Sequence, residues 1–428
     1  MLTSVPMTLS GDGEVLLVIG SGGRQYREYV LAGAAGRHPL WLMDAAEPDW
    51  QDPYIVGSTA VPRLDDTRLI PDADGLLAAA DRLAARRTVA GVFTYDETLV
   101  MATARIAEHL RLPGLSVDGA DRCRNKLRTR LALSEAGLPQ PRFAYAVTGQ
   151  EAWAAAAAIG YPMVVKPRGM GASIGVVRAG SEDEFAAAYA VAERAGHTGA
   201  PAYEGGVLIE ELVTGEEISI DGAVFKGEYR PFCLAHKMLG PEPYFEEVGH
   251  VVDAADPLIC DPELLRVLTQ AHRALGVQYG VTHTEVKLSP RGPVVIEVNA
   301  RLGGDLIPYL GKLATGLDPG AIAADLALGV RPALEHAARG AVGIRFRYPE
   351  QNVEVAGFEL PDPDPGAGLI AAVAMVGPGT RLRLPPEGYL SRFAYVICSA
   401  ADAESCRGRL DAAAAEVRLM AKPLDVEC

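Results

Sequence analysis

The stretch VIEVNARLGG at residues 295–304 follows TEVK at residues 284–287 across a short SPRG turn. Both stretches have the apolar character of β-strands, and each carries one acidic residue, Glu285 or Glu297. Asn299 comes two residues after Glu297 and would lie on the same face of a strand. Two carboxylates and an amide oxygen form a ligand set that suits Mg²⁺, and also Mn²⁺. Because unpaired buried carboxylates are costly, the pattern predicts a divalent-metal site. The alternative is a plain hairpin with solvated acidic residues.

Length and charge limit the classes of protein to consider. A chain of 428 residues exceeds one ordinary core and predicts about two to four domains. The net charge of −15 argues against nucleic acid or an anionic membrane surface as the main partner. An anionic nucleotide would therefore need a locally basic pocket inside an acidic protein.

The cysteines and the N-terminus bear on the compartment. The six cysteines, which include Cys428, form no CxxC pair, so neither a zinc site nor a disulfide framework is indicated. Residues 1–14 lack a basic segment followed by an apolar core, so we expect no signal peptide. No apolar run approaches the roughly 18 residues that span a bilayer. We therefore expect a cytoplasmic protein without a membrane partner.

The first 120 residues alternate strand and helix patterns. This rhythm predicts a doubly wound α/β sheet. The predicted elements are strands at 14–20, 39–44 and 89–94 and helices at 24–36 and 73–87.

A glycine turn after the first strand suggests a second interpretation. Residues 20–23 (GSGG), with Asp44 further on, invite a dinucleotide-binding assignment. The full GxGxxG fingerprint is absent, because position 25 is glutamine. An NAD-dependent oxidoreductase is therefore the disfavoured alternative.

A lysine at a strand end precedes a glycine-rich loop. Lys166 is followed by PRGMGASIGV, and strands are predicted at 163–166 and 174–178. Glycines such as Gly171 let backbone N–H groups approach phosphate oxygens, and the lysine adds a point charge. Ser173 lies in the same loop. The alternative is an ordinary glycine hairpin.

A third acidic stretch lies at residues 207–221 (VLIEELVTGEEISID). Backbone groups at the end of such a strand can bind an adenine edge, and a carboxylate such as Glu217 can hold ribose hydroxyls. Taken alone, acidic residues at a strand end are more often simply solvated.

The remaining patterns predict one helix at 121–135, antiparallel strands within 217–236, helices at 262–275 and 318–329, a proline-rich loop at 361–365 and a helix at 401–416.

Together, Lys126, the Lys166 loop, residues 210–217 and the acidic hairpin resemble the ATP-grasp superfamily in order and approximate spacing. The chain looks closest to the carboxylate–amine ligases that join L-amino acids into dipeptides. Two further matches, EVGH at residues 247–250 and NARLGGD at residues 299–305, support that subgroup.

The resemblance implies an α/β and α+β architecture. It has a half-Rossmann domain at 1–120, a small ATP-clamping lobe with the glycine lid at 121–212, a large lobe with the metal and substrate site at 213–330, and a small α+β domain at 331–428.

The resemblance also implies roles for residues. The ATP-contacting residues would be Lys126, Lys166, Gly171, Ser173, Glu210, Glu211, Val213 and Glu217. The metal ligands would be Glu285, Glu297 and Asn299. The amino-acid site would contain Glu247, His250, Arg301, Gly304 and Asp305. Arg301 and Lys166 would act on the reacting groups.

The implied activity is ATP-driven amide formation through an acyl phosphate, with amino acids as substrates. A homodimer and a role in a specialised peptide or antibiotic pathway are expectations of the same kind. The alternatives are another ATP-grasp ligase, of the purine-biosynthesis or D-alanine type, and a nucleotide-binding regulatory protein.

The roles of five residues near the expected amino-acid pocket stay open in the sequence. Glu246 and Glu247 are adjacent, so either carboxylate could face the amino-acid pocket. His236 and Lys237 are predicted to be structural or exposed rather than catalytic. Asp305 lies at the expected pocket wall, where an acidic side chain could select a polar or cationic substrate group.

Overall fold

The computed structural model describes residues 13–199, 201–240, 242–335 and 340–424. Three predictions therefore fall partly or wholly outside the described residues. They concern the absence of a signal peptide in residues 1–14, Cys428, and parts of the C-terminal domain at 331–428. Among the described residues, no helix combines the length and apolar character needed to cross a membrane.

The N-terminal region contains a parallel sheet with strand order β3-β2-β1-β4. The predicted alternation is confirmed, and β3 and α3 are additional elements that were not predicted. The elements are β1 (Val15–Ile19), α1 (Arg24–Ala35), β2 (Leu40–Asp44), β3 (Gly57–Ala60), α2 (Ala73–Ala84), β4 (Val89–Phe93) and α3 (Val100–Leu110).

The predicted helix at 121–135 is in fact two helices, α4 (Val117–Arg124) and α5 (Lys126–Glu135). Asn125 separates them with extended backbone, and its side chain accepts a hydrogen bond from the Leu127 N–H at 3.2 Å. Asparagine is a favourable residue at this cap position because its side chain satisfies a free N–H group. The break places Lys126 at the start of α5.

The small lobe is built on an antiparallel sheet with strand order β5-β8-β6-β7. The predicted strand at 174–178 is wrong in its position, because Gly175, inside that span, has a φ of 74° and so interrupts the extended backbone. The loop therefore continues to residue 176. The elements are β5 (Phe143–Ala146), α6 (Gly149–Ile159), β6 (Met163–Pro167), β7 (Val177–Ala179), α7 (Glu182–Gly196) and β8 (Val207–Glu211).

The large lobe is dominated by a sheet whose strand order begins β13-β12-β9-β10-β11. Glu285 on β12 pairs in register with Glu297 on β13, as the sequence pattern requires. The elements are β9 (Glu216–Phe225), β10 (Glu228–Leu239), β11 (Glu247–Asp253), α8 (Pro262–Ala274), β12 (Tyr279–Ser289), β13 (Gly292–Asn299), α9 (Ile307–Thr315) and α10 (Pro319–Ala327).

The C-terminal region extends the same sheet, because β14, β18 and β16 follow β11 in the strand order. A separate small sheet has the order β17-β15-β19, and the proline-rich loop joins β15 to β16. The elements are β14 (Ala341–Arg347), β15 (Val353–Glu359), β16 (Leu369–Ala374), β17 (Arg381–Leu382), β18 (Ala394–Ala400), α11 (Ala403–Glu416) and β19 (Arg418–Pro423). Short 3₁₀ segments occur at Asp52–Tyr54, Glu97–Leu99, Pro201–Tyr203 and Pro257–Cys260.

A shared core fixes the N-terminal region against the large lobe. Leu16 and Val18 of β1 belong to one buried apolar cluster with Leu310 of α9 and Leu326 of α10. The approach is close: a Cβ at Gly91 of β4 would lie 2.3 Å from the Ala327 carbonyl oxygen. Burial on this scale contributes about 25 cal/mol per Å² of apolar surface. It holds the residues after β4 in a fixed place beside the large lobe.

Candidate active site

A cleft of about 880 Å³ lies between the small and large lobes. Its walls contain nearly all of the residues that the sequence singled out, although these come from segments more than 170 positions apart. The predicted residues that line it are Lys126, Lys166, Gly171, Ser173, Glu210, Glu211, Val213, Glu217, Glu247, Glu285, Glu297, Asn299 and Arg301.

A second compartment of about 570 Å³ adjoins this cleft. Ser173, Glu247, Glu285 and Arg301 line both spaces, so the two are continuous. The predicted residues Gly304 and Asp305 line the second compartment. At Gly171 and Gly304, an added Cβ would meet no atom within 4 Å, so both glycines leave open space for a ligand.

The acidic hairpin presents its oxygens to the cleft. Burial raises the pKa of Glu285; Lys237 opposes this, and Glu297 raises the pKa further. Burial would also raise the pKa of Glu297, but Lys126 and Lys166 lower it to about 2. Two carboxylates and the Asn299 amide on one face fit a divalent cation, whose charge would offset the repulsion between the carboxylates.

The two predicted lysines are held by different partners. Lys126 donates to Glu297 at 3.0 Å and to the Met170 carbonyl at 2.6 Å, which ties the glycine loop to α5. Lys166 lies 2.7 Å from Glu210 and is nearly inaccessible to solvent. Burial lowers the pKa of Lys166, and Glu210 opposes that change.

Glu210 is more constrained than the sequence suggested. Arg130, which was not singled out, donates to one of its oxygens at 2.7 Å, and Lys166 approaches the other. Burial would raise the pKa of Glu210, but Arg130 and Lys166 lower it. The carboxylate therefore orients Lys166, the lysine that is predicted to bind phosphate. Its contact with adenine stays a prediction.

For Lys237, predicted to be structural or exposed rather than catalytic, the structure excludes exposure. The ammonium of this lysine lies 2.6 Å from Glu217, 2.7 Å from Glu247 and 3.1 Å from Glu285, with 2% of its side chain exposed. Burial would lower the pKa of Lys237, but the three carboxylates raise it well above its ordinary value.

The residue before Lys237 has a different environment. His236 faces away from the cleft, as the two-residue period of a strand requires, and pairs with Glu216 and Asp256 at 2.6 Å each. For His236 the structural interpretation agrees with these contacts.

Arg301 reaches both compartments and is positioned by the N-terminal region. Its Nε lies 2.7 Å from one oxygen of Glu97, and the other oxygen of Glu97 lies 3.4 Å from Arg124. Glu97 was not singled out from the sequence. It belongs to the 3₁₀ segment after β4, where Asp96 caps the turn by accepting from the Thr98 N–H.

Asp305, which was predicted to select a polar or cationic substrate group, is paired within the protein. Arg392, from the segment before β18, donates to both of its oxygens at 2.6 and 2.7 Å. His250 lies behind the wall, fully buried, with Nε2 3.0 Å from Glu247 and 3.3 Å from Asp305. The ligand atoms of these three residues lie within 4.8 Å of one another, but Lys237 and Arg392 already neutralise the carboxylates.

A buried pair next to the metal ligands was also missed. Asp221 is completely buried and accepts from the Gly303 N–H at 3.1 Å, and it lies 2.7 Å from Nδ1 of His283. His283 lines the second compartment. The signal in the sequence is an ionisable residue in the interior of each of two strands, since such a residue needs a partner when it is buried.

The glycine turn at residues 20–23 does not present a free ribose ligand. Asp44 accepts from the Ser21 backbone N–H at 2.8 Å and from the Ser21 hydroxyl. Gln51 donates to the same hydroxyl at 2.7 Å. The carboxylate closes the turn, which argues against the dinucleotide alternative.

This fold and this cleft are those of an ATP-grasp domain. Residues 159–309 match the family model of the ATP-grasp domain, so the chain contains such a domain and the predicted fold is confirmed. The chain is similar in structure to the crystal structure of an L-amino acid ligase from Bacillus licheniformis, with a TM-score of 0.75. The similarity covers 96% of this chain and 100% of the ligase. At 22% sequence identity, this likeness shows the fold alone.

Two curated relatives are more similar in sequence. An uncharacterized protein, y4rH, of Sinorhizobium fredii (strain NBRC 101917 / NGR234) is 32% identical over 314 residues, which are 71% of this chain and 62% of the relative. Alanine–anticapsin ligase of Bacillus subtilis (strain 168) is 31% identical over 249 residues, which are 53% of this chain and 51% of the relative. The chain thus spans between 51% and 62% of these curated relatives.

Proposed function

We propose that this chain is an ATP-dependent carboxylate–amine ligase that joins two amino acids through an acyl phosphate. The observation that carries the proposal is the junction of two compartments at Glu285 and Arg301. One compartment contains buried lysines and predicted metal ligands, and the other is lined by carboxylates and arginines. The alanine–anticapsin ligase among the relatives supports an amino-acid ligase.

The lysine-rich compartment holds the nucleotide. Lys126 and Lys166 bind its phosphates, and the open backbone at Gly171 leaves room for phosphate oxygens. Glu217, whose carboxylate is held by Lys237 and Lys287, faces the ribose, and backbone groups at Glu211 and Val213 face the adenine.

Glu285, Glu297 and Asn299 would hold Mg²⁺. When bound, the metal supplies neutralisation of phosphate charge. The pairing of Glu297 with Lys126 keeps that carboxylate ionised and ready to bind the cation.

The reaction takes place where the compartments meet. An oxygen of the substrate carboxylate attacks the γ-phosphorus and the bond to ADP breaks, which leaves an acyl phosphate. The neutral amine of the second substrate then attacks the acyl carbon, inorganic phosphate leaves, and the amine nitrogen releases a proton. Arg301, fixed by Glu97, stabilises the oxyanion that develops on the acyl oxygen.

The glycine loop protects the acyl phosphate from water. Ala172 and Ser173 line the second compartment, so the loop covers the junction. Its attachment to α5 through the Lys126–Met170 hydrogen bond couples the loop to the phosphate-binding lysine.

The test is phosphate release from Mg²⁺ and ATP, screened against single amino acids and then pairs, with mass spectrometry of the products. D-Alanine belongs in the panel because it distinguishes the D-alanine type of ligase. We expect release that depends on a pair, together with a product at the summed mass less water. Absence of release for every pair, with ATP still bound, contradicts the ligase and favours a regulatory protein.

Two variants separate the compartments. Glu297→Ala should abolish ATP turnover, because it removes a metal ligand and the partner of Lys126. Glu247→Ala should retain ATP binding while weakening amino-acid binding. Near-normal turnover in the first variant, or loss of ATP binding in the second, contradicts the assignment.

A further inference from the structure

One carboxylate of the second compartment, that of Glu246, forms no ion pair with the residues that the structure describes. The carboxylates that line this space are those of Glu246, Glu247, Glu285 and Asp305. Lys237 pairs with Glu247 and Glu285, and Arg392 pairs with Asp305. In the part of the chain that the structure describes, Glu246 has no cationic side chain at ion-pair distance.

Glu246 is nevertheless buried and held in place. Only 8% of the residue is exposed, and one oxygen accepts a hydrogen bond from the Leu390 N–H at 2.6 Å. Its other oxygen has no hydrogen-bond partner among the described residues, and the side chain lines the compartment. Burial raises the pKa of Glu246. A carboxylate in such a place is costly unless a ligand supplies the missing positive charge.

We propose that Glu246 binds a positively charged nitrogen group, an ammonium or a guanidinium, of an amino acid held in the second compartment. This inference rests on the proposed function, because it assumes that the compartment receives an amino acid. The sequence suggested Asp305 as the residue that selects a polar or cationic group, but Arg392 already neutralises Asp305. We therefore assign the selection of a cationic group to Glu246.

The surroundings of Glu246 suit a cation with an alkyl chain. Leu390 and Ile307 line the same compartment and offer apolar surface to methylene groups. Arg392 donates to Asp305, Tyr348 and the Glu247 carbonyl, and it does not reach Glu246 at ion-pair distance.

The test is calorimetric binding to the full chain with Mg²⁺ and ADP present. The ligands are L-lysine and L-arginine, their uncharged counterparts L-norleucine and L-citrulline, and 6-aminohexanoate, which keeps the terminal ammonium but lacks the α-ammonium. The proteins are the unaltered chain, Glu246→Gln and the control Glu47→Gln. Glutamine retains an oxygen for the Leu390 N–H, and Glu47 is an exposed glutamate that loses the same charge.

Either source of the cation supports the proposal with a different pattern. If it is a side chain, lysine or arginine binds at least about tenfold more tightly than its uncharged counterpart, and Glu246→Gln removes that difference. If it is the α-ammonium, Glu246→Gln weakens all four amino acids similarly and leaves 6-aminohexanoate unchanged. In both cases Glu47→Gln behaves as the unaltered chain.

Equal affinities in the unaltered chain and Glu246→Gln overturn the proposal, as does an unaltered chain that binds none of the ligands. The outcomes separate it from the ligase assignment. Glu246-dependent binding without any phosphate release contradicts the ligase alone. Peptide formation with kinetics that Glu246→Gln leaves unchanged contradicts the cation site alone.

Discussion

Asp305 and Arg392 are 87 residues apart in the sequence and form a bidentate ion pair, with N–O distances of 2.6 and 2.7 Å. Arg392 also donates to the Glu247 carbonyl at 2.9 Å. The C-terminal region thereby fixes two walls of the second compartment. The shape of that compartment depends on residues far outside the acidic hairpin.

We predict strong energetic coupling in this pair. Arg392→Met and Asp305→Asn should each lower the free energy of unfolding by about 2–4 kcal/mol, because each leaves the other charge poorly paired. The double variant should lose less than the sum, with a coupling of at least about 1.5 kcal/mol in a double-mutant cycle. Denaturant unfolding of the four proteins measures it.

The matched control for that cycle is Arg381 and Glu354, a pair in the same region that is 3.4 Å apart and largely exposed. Its coupling should not exceed about 0.5 kcal/mol, because water screens an exposed pair. Equal couplings in the two cycles contradict a special role for Asp305 and Arg392.

We predict that Lys237→Met destabilises the protein by about 3–5 kcal/mol, because it leaves buried carboxylates without their shared cation. The exposed Lys422→Met is the control. Removal of the cation raises the folded-state pKa values of these carboxylates. The penalty is therefore greatest above these raised folded-state values and shrinks as the pH falls through them toward the unfolded values of about 4.3. Thermal unfolding at several pH values checks both points, and a loss independent of pH contradicts the electrostatic cause.

We predict that Glu285→Gln stabilises the ligand-free protein while abolishing ATP turnover. The raised folded-state pKa of Glu285 means that its contribution to stability is present below the unfolded pKa and is lost as the pH rises through the folded value. The melting temperature should therefore rise by about 1–3 °C near neutral pH and not change near about pH 4. Calorimetry should also show that Mg²⁺ with ADP stabilises the unaltered chain more than the variant. A lower melting temperature near neutral pH would count against this account of Glu285.

We predict that Glu97→Gln lowers kcat by about tenfold and leaves the KM for ATP unchanged, because it releases Arg301 without touching the nucleotide compartment. Arg301→Met should lower kcat by about 10²-fold or more. Steady-state kinetics measures both variants. A change confined to the KM for ATP would show that Arg301 serves nucleotide binding instead.

The metal-ligand part of the site was predictable because its residues are close together in the sequence and follow the two-residue period of a β-strand. Glu285, Glu297 and Asn299 follow the two-residue period of adjoining strands, and their arrangement follows from that period alone. Asn125 is a similar local signal, because asparagine is favoured at the start of a helix. It indicates a helix start at residue 126 and therefore two helices instead of one.

The site residues that the sequence did not identify are brought together only by the arrangement of the strands in the fold. Lys237 alternates with His236 along β10, but only the pairing of β10 with β9 and β9 with β12 shows that its face meets Glu217 and Glu285. Glu97 and Arg392 approach the site from opposite ends of the chain. No sequence period links either residue to its partner.

The ion pair between Arg301 and Glu97 has a consequence for chimaeras made from related proteins. The segment that matches the ATP-grasp domain begins at residue 159 and ends at residue 309, so it includes Arg301 but not Glu97. A chimaera that exchanges this segment alone would combine an arginine from one parent with a carboxylate position from another. Productive exchanges must carry both halves of such pairs, so the unit of inheritance for this chemistry is larger than the domain.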